Sequence, residues 1–316
     1  MSDPALAIPQ VPRIVWLCWL QGLDAAPPLV PVCVASWRRQ NPNWSVRLVT
    51  ADNIRDYLDP AFCDAVLASD LEPKKKANIF RMALIGRHGG VWADADAFCA
   101  RPLDTWIDEA TQAGFFAFRF HKSDAWLFDP DVSIRRRLTD RTLDRVMGNW
   151  FLAAHAGNHV ATEFAAAHFS LLQSASRRSW HLPQALAGRL FRRLRRNAYL
   201  SSLVARESVL SCLGCYPYFI FHYHFARMLR TNPQFRATWE KVPARDAVEP
   251  LSFVDSIGLP VDATFRDCMS GKRGPVYKLP CRRTDPQQSD VETQFDWLMK
   301  SFDDGMRENT ISKKAV

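Results

Sequence analysis

Glycine is scarce, with 13 residues in a chain of 316, which excludes a collagen-like or glycine-rich low-complexity chain. No apolar run reaches the roughly 20 residues that a membrane-spanning helix needs. The nearest uncharged stretch, Ser208 to Ala226, contains Pro217, His222, His224, two cysteines and several tyrosines, so it reads as buried core. The N-terminus lacks a basic segment followed by a long apolar one, and is not a signal peptide by that pattern. The eight cysteines, at 18, 33, 63, 99, 212, 215, 268 and 281, are too dispersed for a small disulfide scaffold. The lone Cys212–Cys215 spacing supplies half of the four ligands that structural zinc takes, so it reads as two buried free thiols. These absences predict a cytoplasmic protein in a reducing compartment. Internal repeats are missing, as are helix-turn-helix, zinc-finger and RNA-recognition signatures, so nucleic acid is not an expected partner.

What is present is ordinary globular material: 47% hydrophobic and 23% charged residues, with 11 tryptophans and 20 phenylalanines for a large core and aromatic platforms. The formal net charge of +8 favours anionic partners such as nucleotides or lipid phosphates, without choosing among them. The length suits about two domains or one large α/β domain.

Residues 13–19 read as a first buried strand, 28–39 as a helix with Val30, Val34 and Trp37 on one stripe, and 45–50 as a second strand. Short helical pieces are expected around 53–58 and 60–69. Pro73 opens a helix to about Arg87, which Gly89-Gly90 stops. Val91-Trp92 begins a third strand, and 115–120 and 150–154 are further candidates. Strand–helix alternation predicts an α/β, doubly wound, mostly parallel sheet. The second half reads as helical, with helices over 161–174 and 184–196. The expected division is an α/β half over 1–155, a mainly helical half of the same unit over 156–300, and a frayed tail over 301–316.

The sharpest feature is Gly89-Gly90-Val91-Trp92-Ala93-Asp94-Ala95-Asp96. In an extended segment Asp94 and Asp96 project to one side from the end of a strand, where open α/β sheets bind ligands. Two convergent carboxylates repel unless a cation sits between or near them. Oxygen-only ligation suits Mg²⁺ or Mn²⁺ completed by substrate phosphates, so a metal bridging to a diphosphate is the natural occupant.

Val11-Pro12-Arg13-Ile14-Val15-Trp16-Leu17-Cys18-Trp19, Ser36-Trp37-Arg38 with Asn41-Pro42-Asn43-Trp44, Ala77-Asn78-Ile79-Phe80-Arg81, the Gly89–Asp96 run and Arg101-Pro102-Leu103-Asp104 form a recognisable set. With Asn149-Trp150-Phe151-Leu152 and the Tyr218–His222 region, this set resembles the bacterial capsular polysaccharide synthesis glycosyltransferases. Those are related to glycosyltransferase family 32 and, more distantly, to the glucosylating clostridial toxins. The resemblance covers roughly residues 9–280 and is most specific between 77 and 104.

It implies a GT-A type nucleotide-binding fold and a metal-dependent transfer of sugar, with retention, from a nucleotide-sugar donor to a saccharide or lipid-linked acceptor. By the same resemblance, Trp19 stacks on the donor base and Arg81 holds the donor sugar or diphosphate. Asp94 contacts ribose or sugar, and Asp96 ligates Mn²⁺ or Mg²⁺. Asn78 stands where such relatives usually carry Asp, and its amide both donates and accepts without charge.

Weaker candidates are Asn149 and Trp150 on the acceptor side, and His222 and the Lys272-Arg273 turn on the diphosphate side. His222 and His224 diverge if helical, which disfavours a two-histidine metal site. Trp16 and Trp19 can each be core, and Trp19 lies nearer the strand's end. Arg189, Arg192, Arg193, Arg195 and Arg196 crowd one amphipathic helix, consistent with an anionic membrane surface such as the inner leaflet or with a solvated face. Two other functions fit the residues less well: a haloacid-dehalogenase-like phosphotransferase, which also places D-x-D after a strand, and a non-catalytic basic peripheral membrane or interaction protein.

Overall fold

The structure is a computed structural model and describes residues 10–120, 124, 127–140, 145–175, 184–194, 196–213, 216–280 and 292–302. In chain order its elements are β1 (Ile14–Cys18), α1 (Leu29–Gln40), β2 (Ser45–Val49), α2 (Pro60–Leu67), α3 (Pro73–His88), β3 (Gly90–Ala93), β4 (Ala97–Cys99), α4 (Ile107–Ala110), β5 (Phe115–Arg119), α5 (Ile134–Thr139) and β6 (Met147–Ala154). A helical run follows: α6 (His159–Ala175), α7 (Gln184–Leu194), α8 (Ala198–Val204), α9 (Glu207–Leu213), α10 (Ile220–Thr231), α11 (Pro233–Lys241) and α12 (Ala263–Met269), before β7 (Val276–Lys278).

The architecture is α/β with a mostly parallel central sheet, as expected. Its order is β2-β1-β3-β6-β5. β1 and β2 are parallel, with Ile14 opposite Ser45. β5 departs from the doubly wound pattern, because it pairs antiparallel with β6. β4 and β7 form a separate antiparallel ribbon that the sequence reading did not anticipate. Three residues are too few to show a period-2 pattern.

The chain gathers into two compact units that interleave along the sequence, rather than dividing at one point near residue 155. One unit takes residues 1–12, 61–91 and 108–247; the other takes 13–60, 92–107 and 248–316.

In the first unit, α3 buries Ile79, Phe80, Met82, Leu84 and Ile85. Its Gly86 lets α6 approach, since a Cβ there would lie 3.2 Å from the Thr162 backbone nitrogen. Rings of Phe164, Phe221, Phe225 and Trp239 pack edge-on or tilted at 4.7–5.7 Å, the spacing at which aromatic pairs add to simple burial. Arg119 is buried but paired: its Nη1 lies 3.3 Å from Asp124 and its Nη2 donates to the Val242 carbonyl at 3.0 Å.

Gly89 ends α3 with φ +67°, and a Cβ there would meet the Ala156 nitrogen at 2.6 Å and the Ala154 oxygen at 2.9 Å. Both are backbone atoms that cannot yield cheaply. Gly89→Ala should therefore lower stability by about 2 kcal/mol or more. Urea denaturation checks this, and a change below about 0.5 kcal/mol would show that the turn relaxes freely.

In the second unit, α1 is pinned to β4 by polar contacts between buried groups. Trp37 Nε1 donates to the Ala97 carbonyl at 2.7 Å, and Ser36 Oγ accepts from the Cys99 amide at 2.9 Å. Asn41 Oδ1 accepts from the Leu103 amide at 2.8 Å. Leu29, Val32, Phe98, Phe253, Phe265 and Tyr277 share one buried cluster, which fixes β7 against β4.

Trp16, left open by the sequence, is wholly buried and edge-on to Tyr57 at 5.2 Å, and is core. Trp150 is 4% exposed and stacks on Phe118 at 5.3 Å. Other expectations need correction. Cys212 is exposed rather than buried, and Cys215 lies outside the described residues. Tyr218, within the stretch read as core, is 67% exposed. No helix among the described residues is long and apolar enough to cross a membrane.

Candidate active site

In the second unit, β3 ends at Ala93 and the chain turns at once. The Ala97 amide donates to the Asp94 carbonyl at 2.8 Å and closes Asp94–Ala97 into a tight turn. The two carboxylates therefore converge through a turn, not through extended alternation. Trp92 Nε1 donates to Asp94 Oδ1 at 3.1 Å, which fixes that carboxylate. Asp96 is 8% exposed.

Between the carboxylates sits a cation supplied by the chain itself. β7 pairs with β4 so that Lys278 lies opposite Ala97, and the Leu279 amide donates to the Asp96 carbonyl at 2.9 Å. From that position Lys278 Nζ donates to Asp94 Oδ2 at 2.7 Å and to Asp96 Oδ1 at 2.5 Å. Burial alone would lower the lysine's pKa, but the charges and hydrogen bonds of Asp94 and Asp96 outweigh it and hold the ammonium above the ordinary lysine range. Local sequence could not reveal Lys278, which is 182 positions from Asp96. The one available signal was the need of two convergent acids for a positive charge.

Trp19 follows the last residue of β1, as Asp94 follows the last of β3, and β1 and β3 are neighbours in the sheet. Its backbone amide donates to the Val49 carbonyl at 3.0 Å, while its indole nitrogen has no hydrogen-bond partner.

The first unit brings together three of the other candidates. Arg81, on α3 and 4% exposed, donates through Nη1 to the Asn149 carbonyl of β6. Asn149 Nδ2 donates to Asn78 Oδ1 at 3.2 Å. The amide at 78 thus has a partner that uses its oxygen, and leaves its own N–H groups to donate. His222, on α10, is neutral: burial, then the Arg145 and Arg81 charges, push it down to about 3, against a backbone hydrogen bond to Met147. A group this weakly basic is no general base near neutrality. His224 points to another partner, with its Nδ1 3.2 Å from His168 Nδ1, so the two histidines diverge as helical geometry requires.

Lys272 pairs with Asp267 at 2.9 Å and Arg273 with Glu249 at 3.4 Å, as expected of a solvated turn. On α7, Arg189, Arg192 and Arg193 are exposed, as is Arg196 just beyond it; Arg195 lies outside the described residues.

Among the described residues, no three His, Cys, Asp or Glu side chains gather into a metal-holding group. The donor chemistry of Asp94 and Asp96 nevertheless suits a hard divalent cation, which commonly uses one or two carboxylates and completes its shell with substrate phosphates and water. Such a cation and the Lys278 ammonium compete for the same two oxygens.

Residues 6–174 match the family model described as capsular polysaccharide synthesis protein. The chain is 28% identical over 101 residues to an O-glycosyltransferase of Annulohypoxylon truncatum, covering 28% of this chain and 24% of that protein. It is 27% identical over 106 residues to an initiation-specific alpha-1,6-mannosyltransferase of Candida albicans, covering 31% of this chain and 28% of that protein. The chain thus spans about a quarter of the length of these curated relatives. Among solved structures, PaToxG glycosyltransferase aligns over 84% of this chain and 89% of its own, at 11% identity and a TM-score of 0.36.

Proposed function

The chain belongs to the capsular polysaccharide synthesis protein family, and on that premise we propose that it is a glycosyltransferase. It moves a sugar from a nucleotide-sugar donor to a saccharide or lipid-linked acceptor in glycan synthesis. The observation that carries this reading is the Asp94–Asp96–Lys278 cluster. With two carboxylates and one ammonium the cluster is net negative, so it suits a further cation, and a cation held there would offset the charge on a diphosphate leaving group.

Asp94 and Asp96 are the residues that would hold Mn²⁺ or Mg²⁺. Such an ion, when bound, neutralises the charge that develops on the departing nucleoside diphosphate. With such an ion held there, Lys278 would be freed from one carboxylate and would donate to a diphosphate oxygen. Trp19 offers a half-buried aromatic face to the base. Within the first unit, Arg81 and the Asn78–Asn149 amide pair form a separate polar group, to which the family resemblance gives a role toward the donor. The transfer proceeds with retention, as the family resemblance implies. The phosphotransferase alternative is set aside by family membership. We place the protein on the cytoplasmic face of a membrane, with the α7 arginines toward anionic lipid.

A thermal-shift panel of UDP, GDP, CDP and dTDP, each with and without Mn²⁺, tests the reading. At a hundred times Kd a ligand should stabilise by about 2.7 kcal/mol, roughly 5–10 °C. One diphosphate should shift the parent with Mn²⁺, and Asp96→Ala should abolish that shift. If no nucleotide shifts the parent under any metal condition, the proposal fails.

A further inference from the structure

Four arginines in the first unit neighbour one another, and among the described residues no carboxylate is bonded to them. Tyr199 on α8 is buried, with Arg137 of α5 at 5.7 Å and Arg230 of α10 at 5.5 Å from its ring centroid. Arg227 lies one turn before Arg230 on α10, and Arg206 immediately precedes α9. Asn197, which caps α8, donates to the carbonyls of Arg137 and Asp140 at 2.8 and 2.5 Å, so α5 is tied to this place.

Neutral groups are their only bonded partners among the described residues. Arg137 donates to the Asp129 carbonyl, and Arg230 Nε donates to Ser202 Oγ at 3.2 Å. Arg227 Nη1 and Arg230 Nη2 are closed off from solvent and bonded to nothing. Burial lowers the pKa of both Arg227 and Arg230; the charges of Arg206 and Arg230 add to this for Arg227, and those of Arg206 and Arg137 for Arg230, where the Tyr199 phenol opposes it. The structural arginine of the same unit, Arg119, shows the contrast, since it has Asp124 at 3.3 Å. Like charges gathered with unused donors are completed by an anion with several acceptor oxygens, and guanidinium groups match phosphate in this way.

The surroundings indicate where that phosphate comes from. α5 and α7 both pack against α8. α5 exposes Ile134 and Leu138 beside Arg135 and Arg136; α7 exposes Leu186 and Leu190 beside Arg189, Arg192 and Arg193. Apolar side chains set among arginines are the composition of helices that lie in an anionic bilayer surface. We propose that Arg137, Arg206, Arg227 and Arg230 form a seat for the phosphate of an anionic lipid, with α5 and α7 laid on the bilayer around it. The inference rests on the membrane reading of α7.

Co-sedimentation of the full chain with vesicles tests it, using phosphatidylcholine alone and phosphatidylcholine with 30% phosphatidylglycerol. The parent should bind the anionic vesicles and not the neutral ones. The Arg227→Gln/Arg230→Gln pair should weaken binding by about tenfold or more, at roughly 1 kcal/mol per arginine near the surface. Arg192→Gln/Arg193→Gln removes the same charge from α7 and should weaken it less. The melting temperature of the first pair should not fall, because mutual repulsion is relieved, and this separates loss of the seat from loss of folding. Equal weakening by both pairs would overturn the seat and leave the membrane reading standing. No binding by the parent would overturn both. A melting shift with inorganic pyrophosphate that Arg227→Gln/Arg230→Gln abolishes, without vesicle binding, would assign the four arginines to a soluble phosphate and overturn the lipid source.

Discussion

Lys278→Met should make the protein more responsive to Mn²⁺ than the parent. In the parent, Lys278 Nζ lies 2.7 Å from Asp94 and 2.5 Å from Asp96. The three side chains are a quarter exposed or less, so solvent screens them little. Removing one partner of a buried ion pair costs about 3–5 kcal/mol, because the remaining charge is left uncompensated. Here two carboxylates would be left facing each other. Without divalent ions the variant should melt well below the parent. Adding Mn²⁺ should restore most of the loss, since the metal takes the oxygens that Lys278 vacates. The measurement is the melting temperature of both proteins in EDTA and in 1 mM MnCl₂. If Mn²⁺ shifts both equally, the lysine and the metal do not compete, and Asp94 and Asp96 are not the metal's ligands.

The second large effect is acid destabilisation. His222 and His224 are each pushed down to about 3, both by burial first, then by Arg145 and Arg81 for His222 and by Arg227 for His224. His168, stacked on Phe164 and on His224, is lowered in the same direction by burial and by the His224, Arg81 and His222 charges. Unfolded, each imidazole takes a proton near 6.5; folded, His222 and His224 resist protonation down to about 3. The unfolded state therefore binds more protons throughout that window. Stability holds above pH 6.5 and is lost as pH falls from 6.5 toward 3. At pH 5 each of the two histidines costs about 2 kcal/mol, or about 4 kcal/mol together, which corresponds to roughly 8–16 °C in melting temperature. A scan at pH 7.5 and pH 5.0 checks this. A drop under about 3 °C would mean that the histidines are hydrated or charged in the folded protein.

Much of the fold was legible in local chemistry. Pro73 at the start of α3 and Gly89 at its end are punctuation that no packing needs to supply, and α3 follows the expected span to within a residue. β1, β2 and β5 stand where compact apolar runs placed them. The Asp94–Asp96 pair was visible because a Gly-Gly stop, a short apolar strand and two acids fall within eight residues. Faces were harder to read. In Phe115–Arg119 and Met147–Ala154 nearly every residue is buried, so alternation carries no information, and Trp150 could not be assigned to core or surface from its neighbours.

By itself, then, the sequence determined the α/β class, the main strand and helix boundaries and the acidic pair. Each depends on residues close in the chain, whose backbone preferences and periodicity act over one or two turns. Only the tertiary structure decided that Lys278 is the cation between those acids and that β5 runs antiparallel. It also decided that two units interleave and that Arg137 and Arg230 meet over Tyr199. These are encounters between distant segments. Charges far apart in the chain show no pattern until backbone pairing, as between β4 and β7, or helix packing, as around α8, brings them within a few ångströms of one another.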